Sequence, residues 1–253
     1  MTRRSEALAS WLFQRLNVSP QPPIDLDALA AQMGVDEVLE ADMAEEGRLE
    51  HDGMRAIVYL RHGLGRGRRR FTLAHELAHW ALAHPGSPRI AYRRVGSSDD
   101  EERLCDEIAA ALLMPHQWAR RFYSRPQNLS ILRLMSNRAE VSLSAALLRN
   151  REVNHWHKSL LHFSLDQGRW RLQGASGMPI QRRRAIRSAP STHTVLSNLP
   201  LARDCERCLP LCVGDQEVDV QAQVNRTNRT VVALVELESK LSLTHPTPAA
   251  TSD

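Results

Sequence analysis

Apolar residues recur at helical spacing through most of residues 5–158, and the pattern turns to strand-like alternation beyond about residue 160. Leu8, Trp11, Leu12 and Leu16 share one face of a helix predicted over 5–16. "PPIDLDALAAQMG" predicts a second helix, with Asp25 as its N-cap and Gly34 as its stop. "VDEVLEA" reads as a short strand. "GRLEHDGMRAIVYLRHG" reads as a hairpin through Asp52-Gly53, with "MRAIVYL" as its second strand. The polar run "RHGLGRGRRR" is expected to lead into the next helix, "FTLAHELAHWALAH", where Leu73, Leu77, Trp80 and Ala81 form an apolar stripe.

Residues 86–99 read as a loop. "DDEERLCDEIAAALLMP" reads as a helix with an acidic first turn and Pro115 at its end, and two or three further helices fill roughly 116–158. Two hairpins then follow. "LLHFSLDQGRWRLQG" turns at Asp166 to Gly168, and "EVDVQAQVNRTNRTVVALVELE" turns around Asn225 to Asn228. The tail from 242 to 253 has the composition of a disordered segment.

Composition narrows the class without naming a function. The chain of 253 residues is 42% hydrophobic and 25% charged, as globular proteins are. Its formal charge is +4, and the basic residues are mostly arginine. That balance suits an acidic partner surface or nucleic acid and selects neither. The N-terminus has no unbroken apolar stretch with a cleavage pattern, and no segment is long and apolar enough to span a bilayer; a cytoplasmic location is the simplest expectation. Cys105, Cys205, Cys208 and Cys212 are too few for a disulfide framework in a chain this long. Cys205, Cys208 and Cys212, with His193, could form a second metal site or a redox sensor, though ordinary thiols are the simpler reading.

The chemistry concentrates in His75-Glu76-Leu77-Ala78-His79. Residues i and i+4 of a helix lie one above the other, so His75 and His79 can hold one metal ion. Glu76 sits roughly 100° around the helix, where it can reach a water on that ion without being a ligand. Zinc lowers the pKa of such a water toward about 7, and a glutamate can take its proton and pass it to a leaving amine. Catalytic zinc usually has three protein ligands. Candidates are His84, Asp99, Asp100, Glu101, Glu102, Asp106 and Glu107. His84 lies on the same helix and is badly placed to close a tetrahedron, so the following helix is the better source. There Glu102, Asp106, Ala109 and Leu113 share a face, with Asp106 a potential acceptor for a ligand histidine. A merely solvated acidic turn is the alternative.

"RRRFTLAHELAHWALAH", followed by Glu102-Arg-Leu-Cys-Asp and "AAALLMP", resembles the ImmA/IrrE family of bacterial metallopeptidases over roughly residues 5–150. The resemblance implies a zincin-like α+β peptidase domain with His75, His79 and Glu102 as ligands of Zn²⁺ (or Mn²⁺) and Glu76 as the catalytic residue. Asp106 departs from the asparagine common in the family. Such peptidases often present an edge strand to the substrate backbone, and "MRAIVYL" is the candidate.

"SILRLMSNRAEVSLSAALLRNREV" resembles a helix-turn-helix, with a turn near Glu140 and Ser142 capping the second helix. Arg133, Arg138, Arg149 and Arg151 could contact phosphates, but packing against the peptidase domain is the favoured reading, so direct DNA binding is not. The implied layout is a metallopeptidase domain (1–118), a helix-turn-helix-like segment (119–158), a β-rich GAF-like domain (159–241) and the tail (242–253). This order resembles the IrrE/PprI branch, radiation-response regulators of deinococci. It implies a cytoplasmic endopeptidase that cuts a helix-turn-helix repressor and so derepresses DNA-damage genes. Competing readings are a DNA- or partner-binding regulator with a structural metal site, and a peptidase acting on a mobile-element repressor or toxin partner. "QRRRAIRS" is expected to be a solvated basic loop, and Tyr59, Tyr92 and Tyr123 are candidate oxyanion stabilisers.

Overall fold

The structure, a computed structural model, describes residues 3–52, 54–83, 98–213 and 215–236. Expectations for His84, Tyr92, most of the 86–99 loop and the tail fall outside these residues. The chain divides into two units, 1–156 and 157–253.

The first unit begins with α1 (Arg3–Arg15) and α2 (Leu26–Gln32). Asp25 caps α2 by accepting from the Ala28 backbone N–H at 3.0 Å, and Gly34 leaves the helix at φ 84°. A three-stranded sheet follows, formed by β1 (Glu37–Ala41), β2 (Gly47–His51) and β3 (Ala56–Arg61). Asp52 holds the β2–β3 turn through the backbone N–H groups of Met54 and Arg55, both at 2.8 Å. The strand order is β1-β3-β2, with β1 parallel and β2 antiparallel to β3. "MRAIVYL" therefore supplies the central strand, not the edge. The alternation of buried Ala56, Val58 and Leu60 shows that one face of β3 packs on the core.

Helix α3 (Arg66–Ala83) packs beneath this sheet and against α4 (Ser98–Leu113). The basic run expected to lead into α3 instead forms its first turn. Four arginines there oppose the helix dipole. Carboxylates from elsewhere in the unit offset them: Glu140 meets Arg66 and Arg70, Glu46 meets Arg68, and Glu40 meets Arg69. Leu73, Leu77 and Ala81 are buried, and the Trp80 indole N–H donates to the Met33 carbonyl at 2.8 Å. On α4, Cys105, Ile108, Ala109 and Leu112 are buried, and the small residues allow the two helices to lie close together.

Three short helices complete the unit: α5 (His116–Arg120), α6 (Leu129–Ala139) and α7 (Leu143–Asn154). Glu140 turns the chain in a left-handed conformation (φ 56°), and the Ser142 hydroxyl caps α7 through Ala145 N–H. Arg149, a candidate phosphate contact, is only 1% exposed. Its guanidinium donates to the Met114 carbonyl at the end of α4 (2.8 Å) and pairs with Glu6 and Glu152. It is a structural residue, and α7 packs through it.

The second unit is a six-stranded antiparallel sheet in the order β5-β4-β9-β8-β7-β6. Its strands are β4 (Ser159–Asp166), β5 (Arg169–Ser176), β6 (Ile186–Ser188), β7 (Cys205–Val213), β8 (Gln216–Arg226) and β9 (Thr230–Val235). Gln167 and Gly168 close the β4–β5 hairpin at φ 46° and 75°, the double positive φ of a two-residue turn. The end strands β5 and β6 approach each other, Leu172 N–H donating to Ser188 Oγ at 3.1 Å, so the sheet curls into a near-barrel. Phe163, Trp170, Leu196, Leu209 and Val224 lie in its core. "QRRRAIRS" is not a loop. It spans α8 (Ile180–Ala185) and β6, and α9 (Thr192–Ser197) follows.

Candidate metal centre

His75 and His79 stand one turn apart on α3, and Glu102 faces them from the first half of α4. One ligand atom from each of the three lies within 4.8 Å of the others, a grouping able to hold a metal ion. The His75 and His79 Nε2 atoms are 3.1 Å apart. The Glu102 carboxylate oxygens lie 3.1 Å from His75 Nε2 and 3.4 Å from His79 Nε2. Bonds of about 2.0–2.1 Å to a tetrahedral zinc require ligand atoms about 3.3–3.4 Å apart. The observed separations match that requirement to within a few tenths of an ångström.

The outer nitrogens of both rings face carboxylates. His75 Nδ1 is 2.9 Å from Asp106 Oδ1, and His79 Nδ1 is 3.3 Å from Glu101 Oε1. A neutral imidazole that donates from Nδ1 has a bare lone pair on Nε2. Both lone pairs then point at each other and at the Glu102 carboxylate, which is repulsive without positive charge between them. The donor set fits a divalent cation for this reason, and the outer carboxylates fix the rings in the ligand tautomer. The same crowding of negative charge acts on His75. Burial disfavours its charged form most strongly of any single influence, yet the Asp106 hydrogen bond and charge, with Glu76 and Glu102, outweigh it and raise the His75 pKa above its ordinary value.

Glu76 is 8% exposed and points between α3 and β2. Burial raises its carboxyl pKa. The charges of His75 and His79 and a hydrogen bond from the Leu49 backbone pull the other way, and Glu102 adds to the rise. β2 comes so close that a Cβ on Gly47 would lie 2.4 Å from Thr72 Cγ2 and 2.7 Å from Glu76 Oε1. Any side chain there requires Thr72 or Glu76 to shift. Arg61 N–H donates to the Glu46 carbonyl and Asp52 N–H to the Arg55 carbonyl. Even-numbered residues of β2 thus bond to β3, and the backbone groups of Gly47, Leu49 and His51 turn to the other edge. That edge pairs with no strand among the described residues, and its Leu49 N–H is taken by Glu76. This edge, α3 and the start of α4 enclose a cleft of about 590 Å³ lined by the histidines, Glu76 and Glu102.

Gly47 is a site residue that sequence reasoning did not single out. Glu101 stood among the ligand candidates and instead orients His79. Asp99 and Asp100 remain exposed, while Glu107 accepts from Ser5 Oγ at 3.4 Å, away from the histidines. Tyr59 and Tyr123 are not among the residues lining the cleft, and Tyr123 stacks on Arg120 instead. Cys105 is buried beside α4's acidic residues, which with its burial keep its thiol protonated.

The second metal site is not formed. Cys205 packs on the core side of β7 and Cys208 is exposed on the opposite side. Cys208 and Cys212 share that side but lie about 13 Å apart by strand geometry. His193 Nδ1 is engaged by the Trp170 backbone N–H at 3.3 Å.

No helix among the described residues is long and apolar enough to cross a membrane. A search of curated proteins returns no match. Among solved structures, a Mycobacterium tuberculosis transcriptional regulator superposes with a TM-score of 0.54 at 14% identity, over 92% of this chain and 76% of that one. At that identity the likeness is one of fold. Residues 30–150, which contain the whole metal centre, match the family model described as IrrE N-terminal-like domain (Peptidase_M78).

Proposed function

We propose that the chain is a metal-dependent endopeptidase that cuts a helix-turn-helix transcriptional repressor and thereby derepresses DNA-damage and radiation-response genes, as an IrrE/PprI-type regulator. The observation that carries the peptidase reading is the convergence of His75, His79 and Glu102 with buried Glu76 under an open strand edge. His75, His79 and Glu102 would hold the ion, Zn²⁺ or Mn²⁺, since two imidazoles and a carboxylate serve either. A divalent cation supplies Lewis acidity there, polarising a carbonyl and acidifying water.

The chain's own groups do the rest. The open edge of β2 aligns an extended substrate by backbone hydrogen bonds at Gly47, His51 and the Leu49 carbonyl. Glu76, held by Leu49 N–H, removes a proton from the attacking water and delivers it to the leaving amine. Asp106 and Glu101 keep the ligand histidines in register. The near-barrel unit is read as a GAF-like module that would take the activating signal. The repressor as target is supported by the match to the IrrE N-terminal-like domain and the helix-turn-helix-like α6–α7 pair.

The test incubates the purified chain, loaded with Zn²⁺ or Mn²⁺, with the repressor encoded beside it and maps any cut by mass spectrometry. Glu76→Gln is expected to abolish cleavage, about 10³-fold or more, with bound metal by elemental analysis nearly unchanged. His75→Ala should lose both. Cleavage retained by Glu76→Gln would refute the mechanism, whereas metal binding with no cleavage by the wild type would leave a regulator with a structural metal site.

A further inference from the structure

A second depression opens beside the metal cleft, and the two share Phe71 and Asp106 as walls. It holds about 420 Å³ between α4 and α7. Leu113 and Met114 are buried at its base, Ala110 and Ala145 are only partly covered, and Leu148 stands 52% exposed at its mouth. An exposed leucine over a mostly apolar hollow next to a reaction centre is more than surface scatter. Phe71 lies one helical turn before His75, their rings 6.5 Å apart, so the hollow begins about two extended residues from the metal ligands.

Its side relative to the substrate follows from β2. Gly47 lies over Thr72 and Glu76, and His51 lies against Trp80, ring centroids 5.6 Å apart. β2 thus runs along α3 in the same direction, and its Gly47 end points toward Phe71. A substrate segment pairing antiparallel with β2, the more stable arrangement, enters at His51 and leaves at Gly47. Its residues after the cut bond arrive at Phe71.

We infer that this hollow is a specificity subsite for a large apolar side chain (Leu, Met, Phe or Ile) on the carboxyl side of the scissile bond, within about two residues of it. The inference rests on the peptidase reading above and adds the substrate class. The apolar side chain covers Leu148 and Phe71, while the open edge of β2 holds the backbone.

The probe is a synthetic decapeptide library with randomised central positions, digested by the metal-loaded full chain and read by mass spectrometry. One carboxyl-side position should be enriched about tenfold or more in large apolar residues. Leu148→Lys, an exposed substitution, should reduce that enrichment at least fivefold with bound metal unchanged, and Ala145→Trp, which fills the hollow, should do the same. Enrichment absent, confined to the amino side, or unchanged in both variants overturns the subsite while leaving the peptidase reading intact. If the wild type cuts no peptide, the peptidase reading fails instead. The subsite is then decided by fluorescence anisotropy of a labelled Leu-containing decapeptide on metal-loaded Glu76→Gln: weaker binding when Leu148→Lys is added supports it, and equal binding overturns it.

Discussion

Gly47 shows how a residue without a functional group can govern a reactive one. A methyl group there would overlap Thr72 and Glu76, both buried, so one or both must move. Gly47→Ala is expected to cost about 1–3 kcal/mol in chemical denaturation, as overpacking does. It should also lower cleavage by about 10²-fold with bound metal unchanged, because Glu76 is displaced from its proton-transfer position. Full activity in this variant would show that β2 has slack at the point of contact. Asp106 makes the complementary case. Asp106→Ala removes the acceptor from His75 Nδ1 and is expected to weaken metal binding by about 10–100-fold in competition with a chelating dye. Asp106→Asn keeps an acceptor oxygen and should lose much less. The pairing of His75 with His79 was legible in the sequence, because residues four apart on a helix share a face. Among the candidates for a third ligand it was the family resemblance that pointed to Glu102, which the fold brings to both histidines. Gly47 was not legible. Its constraint arises from a backbone brought against Glu76 from far along the chain, which no local pattern records.

At the level of elements, caps and turns were readable where one residue does the work. Asp25 accepts from Ala28, Ser142 accepts from Ala145, and Gln167-Gly168 turns a hairpin. Ser142→Ala should destabilise the first unit by about 1 kcal/mol, measured by urea denaturation. No change would mean that α7 is held by Arg149 and its packing alone. Other features required tertiary context. The basic run before Phe71 looked like a connector because arginines at a helix start are unfavourable alone; Glu40, Glu46 and Glu140 make a helical turn of it. The alternation in "AIVYLR" showed a strand, yet nothing in it ordered the strands. The parallel β1–β3 pairing moved β3 to the centre and gave the open edge to β2. The cysteine spacing left a cluster open beside the simpler reading of ordinary thiols, and β7's pleat places Cys205 on the side opposite Cys208 and Cys212.

For the whole molecule, the two units differ in what would stabilise them. The ligands all come from the first, on helices far apart in sequence, so a cation bound there works against separation of α3 from α4. Free Zn²⁺ at about 100 times its dissociation constant should add about 2.7 kcal/mol to that unit. Calorimetry should show an upward shift of its transition that disappears in His75→Ala; a shift that persists there would place the bound ion elsewhere. The open edge of β2 carries a last consequence. A strand edge accepts extended chain only, so a helical target must first unravel around the bond to be cut. Turnover would then follow how often the target's segment melts, and a mutation that stiffens the target would protect it without touching the enzyme. Selectivity, on this account, resides as much in the victim's restlessness as in the shape of the blade.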